Sequence, residues 1–520
     1  MTGVQTCALP ILFGTNWRAA PQFVPNNKTT VEMINSTRSL VIFIVLVVIF
    51  VTALQPITDP DFWWHLKTGE YIIQTHTIPH TDIFSSTRFG SEWVAHEWLS
   101  EVFMYGVFRV SGFAGLIVIF ALLVTASFWI VYLRFRSRVG YPVIAAVALL
   151  LGAISTTLVW GVRPQIFTLL LASIFLYILD NYYSGKFDKA IWLLVPLMVL
   201  WVNLHAGWAL GLALIALTLL GLLLDRKERA PALLGVLVVC GAAVCVNPNG
   251  TRMYSYPFET LTSESMMLFI REWKSPDFHQ PHFQAVLILL LATFFLLAVS
   301  NKRERPGRLL MLVAMSFAML RSGRNVPFFS LVATPLFAEH LWEWLKGQQW
   351  AGSLIAGTES GKRSIPRIAI NSLIIVVALI FCGLAARRAA MDQPAIEEQQ
   401  FPKAAVEYMR QQHPPQPIFN EYAWGGYLIW RLYPDYRVYI DGRADVFGDK
   451  LVAEFIQVND GKPRWRELLQ QYGTQTVLVK RDSAIAGLLN GDSRWQKVFE
   501  DKQAVILVLK EQLHSQQTNE

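Results

Sequence analysis

Charge is what this sequence has little of. Asp, Glu, Lys and Arg make up 16% of its 520 residues, where a soluble globular chain carries about 25%. Set beside 53% hydrophobic residues, the deficit argues against an ordinary soluble domain and for repeated bilayer spans. Cysteine is scarce too. Of four, Cys240, Cys245 and Cys382 lie in apolar runs and Cys7 lies near the start. None falls in the polar C-terminal region, so neither a disulfide framework nor a cysteine zinc spacing is present. No glycine-rich phosphate fingerprint follows a candidate strand, which argues against dinucleotide binding. The net charge of +7 does not imply a nucleic-acid partner. The basic residues sit in short runs between apolar segments, the placement that membrane orientation requires.

What the chain does have is a series of apolar segments near span length. They cover 40–54, 113–133, 141–159, 166–182, 190–204, 208–224, 232–246, 285–299, 309–320, 326–345 and 368–386. This predicts an α-helical polytopic membrane protein of about eleven spans, with the lipid bilayer as its first partner. With a cytoplasmic N-terminus, every even-numbered connection is basic, as in Arg134, Arg136 and Arg138 or Lys302, Arg303, Arg305 and Arg308. The first loop, 55–112, and the C-terminal region then lie outside, in a bacterial inner membrane.

Three regions are expected. Met1 to Ile11 resembles the translation of a common sequencing adapter, so 1–32 is set apart as artefactual and Met33 is taken as the natural start. Residues 33–390 form the membrane domain. In its first outer loop, Phe62, Leu66, Gly69 and Ile73 recur at helical spacing, as do Val94, Trp98, Val102 and Tyr105. Both read as amphipathic surface helices. Residues 391–520 alternate candidate strands (417–420, 437–441, 476–480, 504–509) with helical patterns, which predicts an extracytoplasmic α/β domain with a mostly parallel sheet.

The chemistry points to Asp59-Pro60-Asp61. Two carboxylates at a membrane edge are costly to keep without a use. One of them can serve as general base, and the plain alternative is a helix N-cap. His65, His96 and Glu97 on the same loop are candidate substrate contacts, or else the polar face of interfacial helices. Arg163, Arg321 and Arg324 lie at outer span ends against the charge trend, where guanidinium groups would bind phosphate or simply reach headgroups. His205, between two close spans, is a further candidate or a satisfied polar group. Asp441, Arg443 and Asp445 read as turn chemistry after a strand. No metal site is assigned. A divalent cation, Mg or Mn, would take Asp59 and Asp61 as its oxygen ligands.

With the acidic pair after the first span, the loop helices and the span count in hand, the chain resembles the GT-C superfamily of integral-membrane glycosyltransferases. Within it, the chain looks most like the bacterial protein-mannosyltransferase-like members (glycosyltransferase family 39-like). The resemblance implies a polyprenyl-phosphate sugar donor, a glycan, lipid or protein acceptor outside the cytoplasm, and a first-loop acidic residue as base or metal ligand. The sequence departs from the mannosyltransferase pattern, where an Asp-Glu pair is usual. The rival readings are a transporter or flippase, weakened by spans with almost no buried charge, and a non-catalytic assembly or polysaccharide-binding protein.

Overall fold

The computed structural model describes residues 36–263, 267, 271–351 and 365–511. The expectations for residues 1–32 lie outside these. Among the described residues thirteen α-helices precede the C-terminal region: α1 Thr37–Ala53, α2 Phe62–Thr75, α3 Trp98–Phe135, α4 Pro142–Ile154, α5 Gln165–Tyr183, α6 Leu194–Leu204, α7 Trp208–Asp225, α8 Ala230–Ala243, α9 Arg252–Thr262, α10 Pro281–Val299, α11 Pro306–Arg321, α12 Val326–Lys346 and α13 Ile365–Gln400. Each of the eleven apolar segments is helical. Among the described residues five helices are long and apolar enough to cross a membrane: α3, α5, α7, α10 and, from Arg367, α13.

The first loop carries both expected helices, with two differences. The second begins only at Trp98, so Val94 lies in irregular chain before it. The second surface helix does not end before the next span but runs into it as α3, and the two parts meet at a bend at Gly112. There φ is +62°, a left-handed backbone value that glycine adopts without strain. Trp63 on α2 is fully buried and packs edge-on against Phe113, Phe401 and Tyr427, with ring centroids 5.0–5.8 Å apart. Such pairs contribute roughly 0.5–1.5 kcal/mol each beyond burial. One side chain thus ties the surface helix to α3 and to the C-terminal region.

That region runs α14 Lys403–Gln412, β1 Ile418–Asn420, α15 Gly425–Leu432, α16 Ala444–Asn459, α17 Trp465–Gln471, β2 Thr476–Lys480, α18 Ala484–Asn490, β3 Trp495–Glu500 and β4 Ala504–Leu509. The sheet order is β1-β2-β4-β3. Only β1 and β2 are parallel, whereas β4 is antiparallel to both β2 and β3. The expectation of a mostly parallel sheet is therefore corrected. The cause is the short β3–β4 turn, where Asp501 Oδ1 accepts the N–H groups of Gln503 and Ala504. A turn that tight can join only antiparallel strands. The expected strand at 437–441 is not a sheet member. Val438 instead exchanges backbone bonds with the first loop, its N–H donating to Phe84 O at 3.0 Å and its carbonyl accepting from Ser86 N–H at 2.8 Å.

The expectation of almost no charge buried among the spans is also corrected. Arg134, at the far end of α3, and Glu339, on α12, are buried. Each is held in ion pairs: Arg134 Nε to Asp180 at 2.7 Å and Glu339 to Arg308 at 2.9 Å.

Candidate active site

A cavity of about 1210 Å³ opens where the first loop, the starts of α3, α5 and α12, and the C-terminal region meet. It is lined by Asp59, Asp61, His65, His96, Glu97, Arg163, His205 and Arg324. Residues far apart in the chain meet there because the loop helices fold back over the helix ends. Arg321 is not among them: it ends α11 with an exposed side chain outside the cavity.

The acidic turn is held from behind. Gln393 of α13 accepts the Ile57 N–H at 2.7 Å and donates to the Ile57 carbonyl at 3.2 Å, fixing the backbone two residues before Asp59. Asp59 then does two jobs. Its Oδ1 accepts the Asp61 N–H at 3.0 Å, closing a turn before α2; the helix N-cap is Asp61, whose side chain makes no cap bond, so the N-cap expected of Asp59 is not formed. Its Oδ2 faces Arg163 Nε at 2.5 Å. Arg163 Nη1 donates to Glu272 Oε1 at 2.9 Å, and Arg324 Nε lies 3.7 Å from the other Glu272 oxygen, its guanidinium stacked 4.8 Å above Trp273. Two cations and two carboxylates thus alternate along one wall. Asp61 stands beside them, and among the described residues no cation is in direct contact with it. Burial, reinforced by the Asp59 charge, pushes its carboxyl up to about 7.

The opposite wall is built on Glu97. Three imidazoles converge on its carboxylate: His205 Nε2 at 3.4 Å, His65 Nε2 at 3.5 Å and His96 Nε2 at 3.6 Å. Burial opposes the charge on Glu97, but His96 and then His65 override it and hold the group well below the carboxylate range. Burial likewise opposes the charge on His96, and Glu97 reverses it, pushing the imidazole up to about 9. His205 behaves differently. Its Nδ1 accepts the Gly207 N–H at 2.9 Å, which puts the proton of the neutral ring on Nε2, toward Glu97. Burial pushes it down to about 3. Farther along, Tyr256 donates its hydroxyl to Asp445 Oδ2 at 3.0 Å and stacks on His96, ring centroids 4.5 Å apart.

Sequence reasoning missed Glu272, Glu101, Tyr256 and the inward role of Asp445. Glu101 Oε1 meets His65 Nδ1 at 3.1 Å. A helix starting at Trp98 carries Glu101 in its first turn, the only signal available. Glu272 has none, being one acidic residue in a polar connection.

The donor set does not suit a divalent cation. The Asp59 oxygen nearest the cavity cations is taken by a guanidinium. Among the described residues, no group of three His, Cys, Asp or Glu side chains is arranged to hold an ion. No step is derived through one.

No family model matches the sequence, and no curated protein matches it significantly. Solved structures match in fold. The oligosaccharyltransferase AglB of Archaeoglobus fulgidus, solved with an inhibitory peptide and a dolichol-phosphate, has a TM-score of 0.51 at 13% identity, over 84% of this chain and 69% of that one. The same organism's oligosaccharyltransferase tethered to an acceptor peptide has a TM-score of 0.52 at 14% identity over the same shares. ArnT from Cupriavidus metallidurans bound to undecaprenyl phosphate matches over 90% of this chain and 97% of that one, at 16% identity and a TM-score of 0.46. At that likeness the fold is shared: this chain has the fold of the archaeal oligosaccharyltransferase structures, the GT-C-like fold that the sequence resemblance implied.

Proposed function

We propose that this chain is a membrane glycosyltransferase that moves a sugar from a polyprenyl-phosphate donor to a hydroxyl of a glycan, lipid or protein acceptor outside the cytoplasm. The observation that carries the reading is one cavity holding a carboxyl poised near neutrality beside two guanidinium groups. In the transfer, the acceptor hydroxyl gives its proton to Asp61 while its oxygen bonds to the anomeric carbon. The bond from that carbon to the phosphate oxygen breaks, and the electron pair leaves with the lipid phosphate. The charge growing on the phosphate is met by Arg163 and Arg324, in a site withdrawn from bulk water. Asp59 and Glu272 orient those two cations rather than react. The apolar lining of Val159, Leu169, Leu210 and Phe328 suits the lipid chain.

The reading sets the protein in a bacterial inner membrane, with its N-terminus in the cytoplasm and the cavity outside. Arg134, Arg138, Lys302 and Arg308 gather at the helix ends opposite the cavity, which supports that orientation. Reporter fusions after Arg138 and Lys302 should read as cytoplasmic, and fusions after Ser275 and Asp460 as external. An external signal after Lys302 would reverse the topology.

The function is tested in proteoliposomes with a panel of polyprenyl-phosphate hexoses, following release of polyprenyl phosphate. Polyprenyl phosphate alone should raise the Tm, because a ligand of the folded state stabilises it, and Arg324→Ala should abolish the rise. If no donor is consumed and polyprenyl phosphate leaves the Tm unmoved, the transferase reading fails and a non-catalytic assembly role takes its place.

A further inference from the structure

The Asp441–Asp445 stretch, expected to be a turn, reaches out of the C-terminal region and against the acidic turn of the membrane domain. A Cβ at Gly442 would overlap the Asp61 carboxylate, and one at Gly426 would press on the Pro60 carbonyl. Glycine at both places is what allows the approach. The loop is anchored independently of Asp61. Arg443, buried, grips Asp441 through Nε–Oδ1 at 2.8 Å and Nη2–Oδ2 at 2.6 Å, and pairs through Nη1 with Asp82 of the first loop at 2.8 Å. Its guanidinium also lies 4.6 Å from the Trp93 ring. Asn420 holds the preceding segment, accepting the Tyr439 N–H at 2.7 Å and donating to the Ile440 carbonyl at 2.9 Å. The cation of this loop is therefore spent on Asp441 and Asp82. What reaches Asp61 is neutral backbone, which displaces water without supplying a counter-charge.

We propose that this loop is a working part of the reacting site: Gly442 is a positioning residue, and through it the docked C-terminal region seats the Asp61 carboxyl and covers one side of it. The proposal rests on Asp61 as the proton acceptor, so its test does not use transfer. Dicyclohexylcarbodiimide is an apolar reagent that adds to protonated carboxyls. It is applied to the full chain over a pH series, and labelling of Asp61 is read by mass spectrometry. Labelling of the native chain should be half-lost near neutral pH, in step with a carboxyl pushed up to about 7. Gly442→Ala should unseat Asp61 and lower that midpoint by about one pH unit or more, toward the ordinary carboxylate range. Arg443→Lys keeps the charge but loses the fork between Asp441 and Asp82, and should shift the midpoint the same way without adding bulk. Should both variants fold and keep the native midpoint, the loop has no part in seating Asp61. A shifted midpoint in a protein that consumes no donor would uphold the seating and count against the transferase reading alone.

Discussion

Two clusters of charged side chains sit at opposite ends of the same helices. One surrounds Glu339, which is reached by Arg138 at 2.7 Å, Arg308 at 2.9 Å, and Lys302. His340 beside it meets Glu304 at 3.1 Å. The space next to this cluster is small, about 30 Å³. The other surrounds Asp59 and Asp61 and opens on about 1210 Å³. Residue types are alike in both, but the inner carboxylates are the more deeply buried: the side chains of Glu339 and Glu304 are 1% and 3% exposed, those of Asp59 and Glu272 17% and 33%. What also separates them is whether charge has been left over and whether a molecule can reach it. Around Glu339 the charges face one another, and the cluster ties the segment after α3 and the connection before α11 to α11 and α12. In the outer cavity no cation among the described residues is in direct contact with Asp61, and Arg163 and Arg324 share their carboxylates while facing open space.

The comparison is broken most sharply by paired substitutions. Asp61→Asn should lower turnover about 10²–10⁴-fold, as for other acid–base groups, without lowering the Tm. Glu339→Ala should do the reverse. Removing one member of a buried ion cluster costs about 3–5 kcal/mol of stability, read by thermal or denaturant unfolding, while each folded molecule keeps its turnover. Full activity in a folded Asp61→Asn protein would show that the outer cluster is as structural as the inner one.

A smaller effect is expected from Arg324→Ala. One charge-assisted contact to the donor phosphate is worth roughly 1.5–3 kcal/mol, so KM for the donor should rise by about one to two orders of magnitude. The value of kcat should fall less. An unchanged KM would move the phosphate site away from Arg324.

The least disruptive test is the pH profile. Asp61 accepts a proton only when ionised, and its carboxyl is pushed up to about 7. Activity should therefore fall as pH drops below about 7 and level off above it. The same shift has a sign for stability. A carboxyl raised on folding favours the folded state at low pH, and that contribution is lost as pH rises from its ordinary value of 3.8 through about 7. Asp61→Asn should flatten the acid limb of unfolding measurements over that window. Glu339 substitutions should leave the kinetic profile where it is.

Much of this was legible in the residues. Runs of apolar side chains near span length force helices, because a backbone in hydrocarbon must satisfy its own hydrogen bonds. The α2 helix followed from the spacing of Phe62, Leu66, Gly69 and Ile73, and β2 and β4 from their apolar runs. Asp59 and Asp61 stood out because charge beside a bilayer is expensive. The missed β3 shows the limit. It is an edge strand whose residues alternate weakly, and its pairing with β4 is set by the three residues between them.

The sequence by itself determined the helices, the candidate acidic turn and the loops where polar groups gather, since each follows from local periodicity and the cost of burial. Only the tertiary structure decided which of those groups meet. Arg321 and Arg324 are three residues apart on the same outer connection, yet one faces out and the other lines the cavity. Asp441 to Asp445 has the composition of any turn, and its approach to Asp61 depends on a glycine, a buried arginine and a partner loop some 360 residues earlier, Asp82. Proximity between distant segments arises from how whole faces pack, and no local pattern encodes it.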